Sequence, residues 1–417
     1  MDNTLRVNNE TGRLRRVLVH RPGQEIENIT PGSMEVMLYD DVPYLARMQK
    51  EHDSFTDLLR DNDVEVVYLR DLAVESLRDD STRSAFIEDV IYLSKQAHRR
   101  STEPLKTYLH GLTTTELVDA VLAGVGKGVI KFTEDEDELQ LHEIVDRGAN
   151  PFYLNPMPNS LYTRDAAAVI GQGMSLHRMH YPVRRRESIL MQYILDNHPS
   201  FSEGEVKRWF DRSVRFPLEG GDILVLNSES IMIGISERTS PEAIEHLATS
   251  LFNDAGFKKV IAVKLPKKRS YLHLDTAVGM IDYNTFVIDP RIQGRGRQTP
   301  LYILEKTPYS EHPKVTLEGD LEHALRIALS QPKINLIEVG GGDPIALDRE
   351  QWNGAANVLT IAPRVVVSYE RNHVTNKTLR EAGVTVLETP GAELGSGHGG
   401  PRCMTMPLVR DDILSSR

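Results

Sequence analysis

Short apolar runs recur along this chain of 417 residues, with helical patterns between several of them, and that alternation confines it to the α/β classes. The runs are rich in Val, Ile and Leu and are bounded by Gly, Pro, Asn or Asp, the pattern of strands. They fall at 14–20, 64–69, 166–170, 222–226, 231–235, 260–263, 285–288, 336–339, 358–361, 365–369 and 384–387. Helical patterns cover 47–61, 241–252 and 321–329. From about 75 to 150 charged helical segments dominate and strand runs are scarce, which reads as a helical insertion. Within it, Thr113-Thr-Thr-Glu116 is a capping box, followed by Leu117, Val118, Val121, Leu122 and Val125, with Gly124 and Gly126 at the end of the helix. The acidic run 133–138 reads as a solvated helix start rather than a metal site. Residues 218–226 (LEGGDILVL) echo 339–347 (VGGGDPIAL), Gly-Gly-Asp and then an apolar strand, which points to a divergent internal repeat.

A chain of this length can bury a large core. With 40% hydrophobic and 26% charged residues it is ordinary for a globular protein. The net charge of -11 disfavours nonspecific binding to nucleic acid or to an anionic membrane, and it suits a cationic substrate. The N-terminus lacks the apolar stretch of a signal peptide, and no apolar run has transmembrane length. A single Cys argues for a reducing compartment, so a cytoplasmic location is expected, with no nucleic-acid or membrane partner.

That single residue, Cys403, lies in a glycine-rich loop, Gly395-Ser-Gly-His-Gly-Gly-Pro-Arg-Cys403. A lone thiol cannot form an intramolecular disulfide or a cysteine metal cluster. Glycines let the backbone turn sharply and approach a ligand, and the adjacent Arg402 favours thiolate if it points inward. A cysteine nucleophile is the sharper reading; a packed loop thiol is the plainer one.

Other segments could serve such a thiol. On a strand, His273 and Asp275 of His273-Leu-Asp275 would share a face and suit proton transfer and cation binding. The upstream Lys267-Lys-Arg269 reads as a solvated basic turn. Glu219-Gly-Gly-Asp222 sets a carboxylate at a tight bend before a strand. Because its echo has Gly340 in place of Glu219, Asp222 and Asp343 read as structural and Glu219 as specific to a site. Asn159-Ser-Leu-Tyr-Thr-Arg-Asp165 offers an amide, an aromatic ring and a carboxylate in one loop. Arginines at 184–186 and Arg238 could fork onto a substrate carboxylate. Gly395-x-Gly397-x-x-Gly400 matches the dinucleotide fingerprint literally, yet too little chain follows for a βαβ unit. There is no P-loop and no HExxH, and His177-x-x-His180 reads as surface histidines.

Together these pieces resemble the arginine deiminase family of the guanidine-modifying, or pentein, superfamily. Eight segments occur in that family's order: 12–23 (GRLRRVLVHRPG), 37–45 (MLYDDVPYL), 158–165 (PNSLYTRD), 218–222 (LEGGD), 236–239 (SERT), 273–276 (HLDT), 349–353 (REQWN) and 399–407 (GGPRCMTMP). The resemblance spans essentially the whole chain. It implies a five-bladed α/β propeller of repeated ββαβ modules, with an inserted helical domain after the first module. It implies Cys403 as nucleophile, His273 as general acid and base, and Glu219 as the acid that orients that histidine. Asp165 and Asp275 correspond to the carboxylates that clamp a guanidinium; Asn159, Arg184 and Arg238 correspond to the groups on the amino-acid end. Tyr162 is implied as an aromatic wall and Leu38 as a further one. At His398 many members have Arg, so the loop would carry an imidazole where others carry a guanidinium. The implied reaction converts L-arginine to citrulline and ammonia through a covalent S-alkylthiouronium, with no metal, flavin or nucleotide cofactor. A homo-oligomer is expected. Agmatine or another guanidine is the alternative substrate; an arginine sensor or a thiol protease fits the residues less well.

Overall fold

Val17, Leu18 and Val19 are fully buried, and this aliphatic run, stopped by Arg21-Pro22-Gly23, forms the strand Leu14–Val19. The computed structural model describes residues 5–94, 101–130, 151–202, 206–293, 299–307 and 312–413. Every apolar run read as a strand is present to within one or two residues at each end. The acidic run 133–138 and the end of the expected helical insertion lie outside the described residues.

Among the described residues, five sheets share one wiring. A strand pairs antiparallel with the next, and the second then pairs in parallel with a third. In the first unit the trio is Met406–Arg410, Leu14–Val19 and Glu65–Tyr68. The second has Ala167–Ile170, Gly173–Leu176 and Arg208–Phe210. The third has Ile223–Asn227, Ser230–Ile235 and Lys259–Lys264, extended by Leu301–Glu305 and Lys314–Glu318. The fourth has Val278–Asp282, Thr285–Ile288 and Asn335–Glu338; the fifth has Leu359–Ala362, Val365–Tyr369 and Thr385–Thr389. A parallel pair needs a crossover. Here the crossovers contain the helices Leu45–Asp61, Arg185–Asn197, Pro241–Asp254, Leu321–Leu329 and His373–Glu381, in unit order.

Several strands escape the sequence pattern. Gly173–Leu176 and Met406–Arg410 contain Gly, Ser, Met or Pro in place of β-branched runs, and Lys314–Glu318 is an exposed edge. The Gly-Gly-Asp echo is corrected. Asp343 starts no strand: it caps the helix Pro344–Trp352, its Oδ1 accepting from Ile345 and Ala346 N–H at 2.8 Å each. Gly340 and Gly341 take φ of 75° and 57° to reach that cap. Gly220–Asp222 instead corresponds to Leu274–Thr276, since each is a single 3₁₀ turn leading into the first strand of a unit. Residues 273–275 therefore do not form the expected strand.

Between the first and second units lie Leu69–Ser76, Asp80–Leu93, Thr102–Gly111 and Thr114–Ala123. The last carries the expected capping box at Thr113 and Glu116, and Gly124 ends it with φ 82°. These helices bury Phe86, Ile87, Leu117 and Val121 in the same apolar cluster as Ala167, Ile189 and Ile244 of the second and third units. No described helix is long and apolar enough to cross a membrane.

The first unit is completed by the end of the chain. Leu18 pairs with Met406, and Thr163 Oγ1 ties the Leu18 carbonyl (3.0 Å) to that of Met404 (3.2 Å). This pairing carries the residues just before Met406 into the interior. Leu18 is wholly enclosed, so Leu18→Ala is expected to cost about 2–5 kcal/mol of stability. Urea unfolding would report that as a lower midpoint at unchanged slope.

Candidate active site

Cys403 lies three residues before the terminal strand, buried at 2% exposure. Its Sγ is 3.6 Å from Asp275 Oδ2 and 3.1 Å from Asn357 Nδ2. Its own N–H donates to Asn357 Oδ1 at 3.1 Å. Gly400 makes that approach possible, because a Cβ there would lie 2.6 Å from Asn357 Oδ1. Gly397 and Gly399 are likewise forced, since a Cβ on either would collide with the Tyr162 ring.

The carboxylates arrive from the turns that precede strands. Asp222, buried, accepts from Leu274 N–H (2.9 Å) and Ser236 Oγ (2.7 Å) and so pins the turn that carries His273 and Asp275. Burial raises Asp222 to about 7 despite these donors. Glu219 accepts from His180 N–H (3.0 Å) and Arg238 Nη1 (3.1 Å), and its Oε2 lies 2.8 Å from His273 Nε2. Burial opposes its ionisation, but Arg238, His273 and Arg184 outweigh that and hold Glu219 well below the usual carboxylate range. His273 is wholly buried. Burial alone would lower its pKa; Asp165, the Glu219 hydrogen bond and Asp222 reverse the sign and raise it to about 9. Its Nδ1 has no hydrogen-bond partner and faces Asp165 Oδ1 at 3.7 Å.

Both expected clamp carboxylates already hold guanidinium groups. Arg184 Nη1 donates to Asp165 Oδ2 at 2.9 Å and its other nitrogens grip Glu187. Arg402 Nη1 donates to Asp275 Oδ2 at 2.8 Å, while the rest of its fork reaches Glu10 and the Ile223 carbonyl. Arg402 does point inward, yet Cys403 is pushed well above the ordinary thiol range by burial and then by Asp275 and Asp165. Burial and these carboxylates thus favour the thiol over the thiolate in the free protein.

A narrow cleft opens onto this cluster, lined among others by Leu38, Asn159, Tyr162, Asp165, Arg238 and Cys403. Asn159 Nδ2 donates to the Met37 carbonyl (2.7 Å) and the Tyr162 hydroxyl to that of Leu394 (3.1 Å). Leu38 sits at φ 65°, and its carbonyl accepts from Arg269 Nη2 at 2.8 Å. Arg269, expected in a solvated turn, instead lines the cleft and pairs with Asp40 at 3.1 Å. His398, at φ 71°, sets Nδ1 3.3 Å from the same Asp40 and packs edge-on against Trp352 at 4.2 Å. Of the three consecutive arginines, Arg184 lines the cleft; Arg185 and Arg186 donate to the Met179 and Asn155 carbonyls.

The donor atoms of Asp165, Glu219 and His273 lie within 4.8 Å of one another, close enough to suggest a metal site. The Asp165 and Glu219 oxygens already accept from Arg184, Arg238 and backbone amides, which suits the set to organic cations. His177, expected at the surface, is buried with Nδ1 2.7 Å from the Asp165 carbonyl. All of the expected site residues thus meet at one buried cluster and its cleft. Asn357, Arg269, Arg402 and Glu10 belong to it too, and no local sequence pattern marks the contacts that place them there.

The stability of the His273 imidazolium ties the fold to pH. Its pKa is raised in the folded state, so its contribution is fully present below the ordinary 6.5 and is lost as pH climbs through about 9. Glu219→Gln removes a principal cause. An NMR titration of the His273 ring proton is expected to move from near 9 in the wild type toward 6.5 or below in the variant.

The family model for arginine deiminase matches residues 35–410. The chain is 46% identical to an arginine deiminase of Bacillus cereus (strain B4264) over 414 residues, covering 99% of this chain and 100% of that one. It is 45% identical to an arginine deiminase of Latilactobacillus sakei subsp. sakei (strain 23K) over the same shares. Among solved structures, DDAH from Pseudomonas aeruginosa complexed with citrulline superposes with a TM-score of 0.52 at 14% identity, covering 94% of this chain and 99% of that one. The N-terminal domain of ArgZ, an arginine dihydrolase from cyanobacteria, gives 0.52 at 14% identity, covering 95% and 97%. At that identity these two structures show a shared α/β fold.

Proposed function

Because the chain belongs to the arginine deiminase family and hydrolyses a C–N bond of L-arginine to give citrulline and ammonia, we propose that Cys403 is the nucleophile of that reaction and His273 its general acid and base. The observation that carries this reading is the contact set of one buried cluster. Sγ lies 3.6 Å from Asp275, and His273 is held 2.8 Å from Glu219 with its other nitrogen facing Asp165.

Guanidinium is a poor electrophile, because its charge is delocalised over the carbon and three nitrogens. Asp165 and Asp275 fix the planar cation by paired N–H···O contacts and keep it protonated, as addition at carbon requires. To reach them, the substrate displaces Arg184 from Asp165 and shares Asp275 with Arg402. Arg184 is then free to join Arg238 and Asn159 on the amino-acid end, with Tyr162 and Leu38 as walls and His398 at the loop that covers them. A positive charge beside Sγ reverses the balance that kept Cys403 protonated, so the thiol gives its proton to water and the thiolate attacks the guanidinium carbon. His273 imidazolium protonates the departing nitrogen and ammonia leaves, with an S-alkylthiouronium on Cys403. Neutral His273 next takes a proton from water, whose oxygen attacks the same carbon. The C–S bond breaks, and citrulline and the free thiol are restored. Glu219 keeps His273 oriented and charged between turnovers.

Five repeated units, the first completed by the chain's own last strand, support a five-bladed α/β propeller with 75–150 as a helical insertion. A cytoplasmic location and a homo-oligomeric assembly belong to the same reading.

Purified protein with chelator present is expected to form citrulline from L-arginine far faster than it deiminates agmatine, which lacks the carboxylate that Arg184 and Arg238 would hold. Cys403→Ala is expected to fold, by circular dichroism and melting temperature, and to lose at least about 10⁴-fold in kcat. Comparable turnover in that variant would end the proposal. In His273→Ala, rapid quench with mass spectrometry is expected to find at most slow amidination of Cys403 and no hydrolysis of the adduct.

A further inference from the structure

Asn357 closes a turn from Gly354 and precedes the strand Leu359–Ala362, with its side chain 1% exposed. Both ends of its amide are used. Oδ1 accepts the Cys403 N–H at 3.1 Å; Nδ2 donates to Cys403 Sγ at 3.1 Å and to the Asp275 carbonyl at 3.2 Å. Its backbone carbonyl also accepts the Arg402 N–H at 3.3 Å. The orientation of the amide is dictated chemically. A backbone N–H can only donate, so the oxygen must face Cys403 N and the nitrogen must face Sγ. Among the described residues, no other side chain donates a hydrogen bond to that sulfur.

We propose that Asn357 is the positioning residue of the nucleophile: it fixes the direction of the Cys403 Sγ lone pairs against the clamp and stabilises the thiolate through its Nδ2–H. The inference rests on Cys403 being the nucleophile. The sulfur is otherwise surrounded by groups that disfavour its ionisation. Asp275 and Asp165 carry negative charge; only a Gly400 backbone hydrogen bond and Arg402 lean the other way, and Arg402 is itself engaged by Asp275 and Glu10. A substrate cation removes the electrostatic penalty, but it gives the sulfur no N–H donor aligned from behind. Asn357 supplies that donor from a site fixed in the free protein. The same amide couples nucleophile and clamp, because one NH₂ group bonds both Sγ and the main chain of Asp275.

Two variants of the full chain test this. Asn357→Ala deletes both contacts. Asn357→Asp keeps the shape and the acceptor for Cys403 N–H but offers no donor to sulfur, and it is read if the alanine variant does not fold. In either, kcat for arginine is expected to fall about 10- to 100-fold, as for loss of a hydrogen bond to a charged group. KM should change by less than about threefold, and the pH–rate profile for alkylation of Cys403 by iodoacetamide should move to higher pH. A melting temperature that falls while kcat and the alkylation profile stay at wild-type values would overturn the assignment and leave Asn357 a packing residue. Cys403→Ala, run alongside, separates the two readings. If it is inactive while Asn357→Asp is normal, only the present inference fails; if it turns over, the nucleophile itself is wrong.

Discussion

Carboxylates buried together must each be matched by a cation, and this constraint organises the centre of the molecule. Asp165, Glu219, Asp275 and Glu10 are all nearly inaccessible to water. An unmatched buried charge costs several kcal/mol, and removing one partner of a buried pair typically costs about 3–5 kcal/mol. The chain answers with guanidinium and imidazolium groups: Arg184 on Asp165, Arg238 and His273 on Glu219, and Arg402 bridging Asp275 and Glu10. The free protein thus satisfies the proposed clamp with the same functional group that arginine carries. In that proposal, exchange of Arg184 for a substrate guanidinium replaces like with like, so binding need not leave Asp165 unpaired at any stage.

The same constraint bears on the proposed nucleophile. Cys403 is pushed toward the thiol by burial and then by Asp275, 3.6 Å from its sulfur, and Asp165, whereas His273, facing Asp165 and Glu219, is pushed toward the imidazolium. Negative charge thus favours the protonated form of both. In the proposed mechanism a thiol that ionises only beside a bound cation is protected from other electrophiles, and a histidine already charged is ready to donate when ammonia must leave. The Asn357 amide adds the one feature a field of charges lacks, a direction.

Much of this was legible in the sequence. The alternation of strands and helices and the capping box at Thr113 follow from residue types and order, and the convergence of Cys403, His273, Glu219, Asp165 and Asp275 was implied by the resemblance that those segments carry. Other parts were misread for physical reasons. Gly-Gly-Asp at 341–343 looks like 220–222, but Pro344 is placed to begin a helix and Asp343 to cap it, so identical letters open a helix in one place and a strand in the other. His273 and Asp275 share the site through a 3₁₀ turn pinned by Asp222, not through strand alternation. Arg269 sits in a basic stretch that resembles any exposed turn; only the packing of Asp40 and Leu38 against it draws it to the cleft.

What the chain determined by itself were the candidate reactive groups and the local elements that carry them, because those depend on chemical type, short-range periodicity and turn residues. The tertiary structure alone decided which charge meets which. Glu10 and Arg402 are separated by almost the entire chain, yet they touch because the last strand pairs with the first. Asn357 reaches Cys403 because the fifth unit begins beside that same closure. Such pairings are set by strand register and by the cost of burying charge, and neither leaves a mark in any short stretch of sequence.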